Sequence, residues 1–482
     1  MEKKIINVLN QRYRLGYHIS APSGWINDPN GFCYFKGYYH IFYQYYPYDS
    51  SWGPMHWGHA RSKDLIHWET LPIALKPDAK GVDEGGCFSG SAIVKNDKLY
   101  LIYTGHHYYD DGDPEHFWEN QNLAVSEDGI NFSKYSNNPI ISALPEDSTH
   151  HFRDPKVWED DGIYYMVLGN QSKDGKGRAI LYKSQNLFDW EYLHEMSHSK
   201  KNDTEGFMWE CPDFFTLEEK DILLFSPQGV VPKGVQYLNL FQTGYFVGKF
   251  NKNTNQFDRG EFQELDFGHD FYATQTMLAP DGRRLLFAWM AMWESQMPEK
   301  QDGWAGALTF PRELKIKNKK LLMMPVREIE GLRVRKISQG TLNHEKTILL
   351  DEQTKTAEVK LTIRTSENFK FILSNTLDKP IITLTYNKEN NIFELERSDR
   401  KGDNRFSKLS DEIDIFNFHI LLDTSSLETF INDGEVVFTE RFYSEEKTKL
   451  LLETQDTITS KSFGEYESYE LDNNVIDREG GK

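Results

Sequence analysis

The stretch NGFCYFKGYYHIFYQYYP, starting at Asn30, holds two apolar and aromatic runs around a Lys36-Gly37 turn. Such runs, broken by a glycine-containing pair, are the signature of a β-hairpin. The pattern returns as GSAIVKNDKLYLIYTGH from Gly90, DPKVWEDDGIYYMVLGNQ from Asp154, CPDFFTLEEKDILLFSPQG from Cys211 and ATQTMLAPDGRRLLFAWMA from Ala273. Successive starts lie 60, 64, 57 and 62 residues apart. A second element keeps phase with it: SKDLIHWETL from Ser62, SEDGINFSKY from Ser126 and SQNLFDWEYL from Ser184. Sheets of about four strands recurring at this period predict a β-propeller. Five repeats make it a five-bladed β-propeller, over residues 15–326.

Beyond Arg327 the texture changes to short alternating runs: AEVKLTIR from Ala357, FKFILS from Phe369, IITLTY from Ile381, FHILLD from Phe418, LETFIN from Leu427 and LLLETQ from Leu450. These read as an antiparallel β-sandwich. Residues 327–482 are thus expected to be a linker and a C-terminal β-sandwich, with the linking segment near residues 312–335. At the other end, Ile5, Ile6, Val8 and Leu9 are interrupted by Asn7 and Asn10. That run is too short for a secretion signal or a membrane span. It predicts a small amphipathic helix within residues 1–14.

A chain of 482 residues exceeds one compact core, in keeping with two domains. Its formal charge of −19 argues against nucleic acid and an anionic membrane as partners, since both need clustered Lys and Arg. Aromatic residues reach 14%, which suits β-structure and also sugar binding, where flat rings pack on the apolar faces of sugars. Cys33, Cys87 and Cys211 are too few and too scattered for a disulfide framework, so a cytoplasmic location is expected.

Three carboxylates stand near one phase of the repeat. Asp28 lies 11 residues before Tyr39, and Asp154 lies 11 before Tyr165. Ser89 lies 11 before Tyr100, and Glu210 immediately precedes the fourth hairpin. Equivalent positions of successive blades surround one axis, so these side chains are expected to converge at one end of the channel. Glycoside hydrolysis needs such a set: one carboxylate attacks the anomeric carbon and another protonates the leaving oxygen. Asn27, Gln44 and Arg153 can donate hydrogen bonds to hydroxyls, and Trp25, Trp52, Trp57 and Phe88 can offer ring faces. Taken alone, Asn27-Asp28-Pro29-Asn30-Gly31 reads as a turn, and Arg153-Asp154 as a surface ion pair. It is the shared phase that favours a site.

On these residues the sequence resembles glycoside hydrolase family 32, which includes invertases, inulinases and sucrose-6-phosphate hydrolases. The similarity is carried by Trp25-Ile26-Asn27-Asp28-Pro29-Asn30-Gly31, by Trp52 to His59, by Phe88-Ser89-Gly90-Ser91, by Arg153-Asp154-Pro155-Lys156 and by Trp209-Glu210-Cys211-Pro212-Asp213. It continues through Asp270-Phe271-Tyr272-Ala273, Gly303-Trp304 and Pro311-Arg312-Glu313-Leu314 into the tail around Leu427-Glu428-Thr429-Phe430. The resemblance implies a retaining β-fructofuranosidase with Asp28 as nucleophile, Glu210 as acid/base and Asp154 as transition-state stabiliser. It implies a sugar-binding set of Trp25, Asn27, Gln44, Trp52, Phe88, Ser89, Arg153 and Trp293, and a chemistry without metal or cofactor. The length and the opening Arg12-Tyr13-Arg14 before Tyr17-His18 resemble the bacterial sucrose-6-phosphate hydrolases most. A small sugar is then the substrate: sucrose 6-phosphate, sucrose or a short fructan, with transfer of fructose to another sugar as an alternative. Two rival readings are an inverting, arabinanase-like propeller and a sugar-binding propeller without catalysis.

Overall fold

The computed structural model describes residues 3–109, 111–342, 347–352, 355–365, 367–409, 412–454 and 463–478. Nearly all of its regular structure is β-strand. The chain first builds five antiparallel-cored sheets in sequence order. Their opening strands are Gly24–Phe35, Gly86–Lys95, Ser148–Asp160, Met208–Leu217 and Tyr272–Leu278. Each opening strand is paired by a hairpin partner, the first across Lys36-Gly37, where Lys36 and Gly37 both take the positive φ that such a tight turn demands. Each opening strand also packs against the next, and Tyr272–Leu278 returns to pack against Gly24–Phe35. The architecture is a β-propeller followed by a β-sandwich.

The recurring Ser elements share one local structure. In each, the serine hydroxyl accepts from the backbone three residues on: Ser62 from Leu65 N (2.8 Å), Ser126 from Gly129 N (2.8 Å), Ser184 from Leu187 N (3.0 Å). Asp64, Asp128 and Asn186 accept from the backbone just beyond, closing side-chain-capped turns that lead toward the outer strand.

Residues 312–325 are not a linking segment. Arg312–Lys317 and Lys320–Pro325 complete the fifth sheet, against Arg284–Trp289. The repeat phase is lost there because the chain detours through a short 3₁₀ turn, Pro298–Asp302, before returning. Nor is there a helix at residues 3–14. Asn7 and Asn10 interrupt a run too short to offset helix nucleation. Instead Ile6 N donates to Pro47 O (3.1 Å) and Leu9 N to Asp302 O (2.8 Å), so the segment lies along the propeller. Residues 1–2 of that expected helix fall outside the described residues.

The described residues of the C-terminal part form two six-stranded sheets. All six apolar runs noted beyond Arg327 lie in strands, apart from Asn432, which opens a turn, and Gln455, which falls outside the described residues. Alternate residues such as Val359, Leu361, Phe371, Leu373, Phe416 and Phe418 face inward and form one buried cluster between the sheets. Near the C-terminus, Ile476–Asp477 pairs in parallel with Trp68 and Glu69, adding an outer strand to the first sheet. Among the described residues, no helix is long and apolar enough to cross a membrane.

Candidate active site

The opening strands share a defect that shapes the site. Pairing with the hairpin partner slips between Ile26 and Pro29, Phe88 and Gly90, Arg153 and Lys156, Glu210 and Asp213, and Tyr272 and Gln275. These are β-bulges at one level of all five sheets. A bulge bends its strand and re-aims the side chains around it. In the last three sheets the first bulged residue has positive φ: Asp154 (63°), Cys211 (48°) and Ala273 (52°). Non-glycine residues reach this region at a cost of order 1 kcal/mol or more each, so strain is concentrated here. The Asn27-Asp28 stretch is therefore part of a bulged strand, not a free turn.

The bulges bring the carboxylates together. Asp28 accepts from the Ser89 hydroxyl (2.7 Å) and from the Asn27 amide (3.0 Å), and the Cys211 thiol lies 3.7 Å from the same carboxylate. Asp154 accepts from the Cys211 backbone N–H at 2.8 Å, while its own N–H donates to Thr104 Oγ1 (3.1 Å). Cys211 thus touches Asp28 with its side chain and Asp154 with its backbone, and Glu210 is its neighbour. Arg153 donates twice to Glu210 Oε1, from Nη2 (2.9 Å) and Nε (3.2 Å). The Tyr272 hydroxyl donates to the other oxygen of Glu210. Gly169 lies beneath this arrangement: a Cβ there would come within 2.0 Å of Trp209 O and displace the strand that carries Glu210.

The electrostatics follow from crowding. Burial pushes the Asp28 carboxyl up to about 6; bonds from Asn27, Ser89 and Cys211 oppose this, and the charge of Glu210 adds to it. Burial also raises Asp154, against Arg153, with Glu210 and Asp28 reinforcing the rise. Asp154 and Glu210 thus share the Arg153 guanidinium with Glu119, and the two aspartyl carboxyls are held above the range of an isolated carboxyl.

Aromatic rings flank the carboxylates. Trp25 donates Nε1 to Asn27 Oδ1 (2.8 Å) and stacks on Trp293 with centroids 6.2 Å apart. Trp52 meets Phe88 edge-on at 6.0 Å, and Phe88 stacks on His106 at 4.1 Å. Trp52 and Trp293 remain more than a third exposed, so their faces are open to a ligand. Gln44 behaves differently: it is 2% exposed, and its amide donates to Cys87 O (3.0 Å), bracing the strand opposite the Asn27-Asp28 bulge. Trp57 is fully buried, with Nε1 donating to Phe88 O (3.0 Å).

Sequence reasoning missed two members of this network. Tyr272 stands immediately before the fifth bulge, as Glu210 stands before the fourth, so the repeat phase held the signal. Glu119 carried no signal, because its contacts are long-range. It accepts from Phe152 N (2.8 Å), pairs with His106 (3.2 Å) and lies 3.7 Å from Arg153. Burial would raise its carboxyl, but Arg153 and His106 together hold it below its ordinary range. Among the described residues, no group of three His, Cys, Asp or Glu side chains is arranged to hold a metal ion.

Comparison with known proteins converges on one family. Residues 18–325 match the family model for the glycosyl hydrolases family 32 N-terminal domain, and residues 328–470 match that for the family 32 C terminal. A sucrose-6-phosphate hydrolase of Zymomonas mobilis is 41% identical over 454 residues, covering 91% of this chain and 87% of that protein. A raffinose invertase of Escherichia coli is 40% identical over 448 residues, covering 90% of each. Among solved structures, a β-fructofuranosidase of Bombyx mori superposes with a TM-score of 0.87 at 41% identity, over 97% of this chain and 96% of that one. A chain with this fold, this ring of bulges and this degree of likeness is a glycoside hydrolase and belongs to glycosyl hydrolase family 32.

Proposed function

We propose that this chain is a retaining β-fructofuranosidase that hydrolyses sucrose 6-phosphate or sucrose through a covalent fructosyl-enzyme. The observation that carries the reading is the cluster Asp28–Cys211–Asp154 with Glu210 alongside, held on three of the bulged strands. Asp28 attacks the anomeric carbon of the fructosyl unit, and Glu210 gives its proton to the departing glycosidic oxygen. Glu210, now ionised, takes a proton from water, whose oxygen attacks the same carbon and releases Asp28. Asp154 accepts hydrogen bonds from ring hydroxyls while positive charge develops at the anomeric carbon. Asn27, Ser89 and Arg153 orient the sugar and the carboxylates, and Trp25, Trp52, Phe88 and Trp293 offer ring faces. Gln44 acts from behind the bulge.

In this reading the five sheets are five blades around the channel, within a catalytic domain of residues 15–326. The sandwich of the C-terminal part is a brace. The three buried, unpaired cysteines suit a reducing compartment, so the cytoplasm is the proposed location. The names of the relatives support a phosphorylated or free sucrose substrate. The deciding experiment compares kcat/KM for sucrose 6-phosphate and sucrose. A preference of about tenfold or more for the phosphate, the scale of one charge-assisted hydrogen bond, assigns the phosphorylated sugar. Equal values assign sucrose, and no release of fructose from either defeats the reading.

A further inference from the structure

A cavity of mixed polar and apolar lining lies between the N-terminal segment and the first sheet, and none of the three site carboxylates lines it. Its volume is about 640 Å³, and it is lined by Arg14 and Arg478 together with Ser23, Tyr43, Tyr45 and Thr70. Tyr43 and Tyr45 alternate with Gln44 on one strand, so they face away from the side on which Gln44 braces the bulge. No acidic side chain is among the lining residues. Among the described residues, neither arginine has a carboxylate partner.

The arginines use only neutral acceptors. Arg14 lies over the Trp304 ring at 4.1 Å and donates to Ala21 O (2.7 Å), Pro22 O (3.1 Å), Ser20 Oγ (3.2 Å) and Gln11 Oε1 (3.0 Å). Arg478 donates once, to Leu15 O (2.6 Å), and its Nε is buried without a partner. Carbonyls orient a guanidinium but leave its charge uncompensated, and such a charge away from water is costly. The chain as a whole carries a net −19, and the buried Arg153, Arg178, Arg312 and Arg397 are paired with carboxylates. Among the described residues, Arg284, half-buried and without a carboxylate partner, stands alone, whereas Arg14 and Arg478 line one cavity together.

We infer that this cavity is a binding site for a small oxyanion, inorganic phosphate or a phosphate monoester, held between the Arg14 and Arg478 guanidiniums. Two planar forks and nearby hydroxyls suit a tetrahedral anion with several acceptor oxygens. Burial, and then the charge of Arg478, push the Arg14 guanidinium down to about 9; an anion would reverse that pressure. The ligand would also tie the two ends of the chain to the first sheet, since Ile5, Ile6 and Val8 wall the cavity on one side and Arg478 on another.

The test uses the full chain at low ionic strength, with inorganic phosphate and glucose 6-phosphate as probes, by titration calorimetry and thermal unfolding. The expected result is one saturable site and a Tm that rises with probe concentration to a plateau. Arg478→Gln should weaken that site at least about tenfold, and Arg478→Lys less, because a lysine keeps the charge but loses the fork. Both variants should keep the wild-type kcat/KM on sucrose, which shows that they fold. Tighter binding of glucose 6-phosphate than of phosphate means that the cavity also reads the sugar, and equal binding means that it reads only the oxyanion. No saturable binding of either probe, or binding of equal strength in Arg478→Gln, overturns the inference.

Discussion

Two buried clusters of carboxylates, built from the same residue types, behave in opposite ways. At the mouth of the propeller, the charges of Asp28, Asp154 and Glu210 act on one another, and burial raises both aspartates. At the junction with the sandwich, every carboxylate has a cation of its own or shares one on good terms. His18 sits between Asp423 (2.8 Å) and Glu428 (2.6 Å). Arg312 joins Glu428 (2.6 Å) to Asp266 (3.1 Å), His269 meets Glu440 (2.9 Å), and Arg397 meets Asp270 (2.8 Å). Burial opposes ionisation there too, yet Arg312 and His18 hold Glu428 down to about 2, and His18 holds Asp423 below its ordinary range. Asp266 is the exception: burial outweighs Arg312 and keeps it raised. The lesson is that depth of burial does not decide protonation; the ratio of cations and donors to carboxylates does. The junction is saturated and serves cohesion, whereas the mouth is left short of positive charge and its two aspartates are held above their ordinary range.

The largest expected effect is at the junction. Arg312→Met leaves Glu428 and Asp266 buried without their guanidinium and should cost about 3–5 kcal/mol of stability, the scale for breaking a buried pair. Chemical denaturation at pH 7 checks this, and kcat of the folded fraction should stay near wild type. The pH dependence sharpens the point. Glu428 is depressed from its ordinary value of 4.5 to about 2, so its contribution is present above pH 4.5 and is lost as pH falls toward 2. In Arg312→Met, stability should depend less steeply on pH in that window.

At the mouth the same kind of change should act on rate. Asp154→Asn should lower kcat by roughly 10²-fold or more, the scale for losing a pre-organised electrostatic partner, with Tm unchanged or raised. A near-wild-type kcat would remove Asp154 from the chemistry. The smallest effect has the reverse sign in stability. The folded Asp28 carboxyl titrates at about 6 against an ordinary 3.8, so ionising it costs stability as pH rises from about 4 through 6. Asp28→Asn should therefore stabilise the protein at pH 7 by about 1–3 kcal/mol, given about 1.4 kcal/mol per pKa unit, while abolishing turnover. A destabilised Asp28→Asn would place the mouth in the same class as the junction.

Much of this was legible in the sequence because hairpins report themselves locally. Apolar runs around Lys36-Gly37 or Asn96-Asp97 gave the period, and the period gave the phase at which Asp28, Ser89, Asp154 and Glu210 meet. The phase is not uniform residue by residue. Asp28 is the second bulged residue of its strand, Asp154 the first, and Glu210 precedes its bulge; only the pairing register reveals this. Residues 312–325 were misread because their strands return after a long detour, and the N-terminal segment because its partners, Pro47 and Asp302, are remote. Glu119 and Arg478 act through long-range contacts that no local pattern encodes.

The central claim is that Asp28 and Glu210 serve different steps at one sugar. It is tested most directly by turnover of sucrose and of an activated aryl fructoside in Asp28→Ala and Glu210→Ala, with and without azide. A good leaving group needs little protonation, so Glu210→Ala should retain fructosylation by the aryl fructoside far better than by sucrose. Azide, which needs no general base, should then speed release of the fructosyl-enzyme. Asp28→Ala should turn over neither substrate, whatever the nucleophile. If Glu210→Ala loses both substrates equally and azide restores nothing, while Asp28→Ala keeps activity on either, the roles assigned to these carboxylates are wrong.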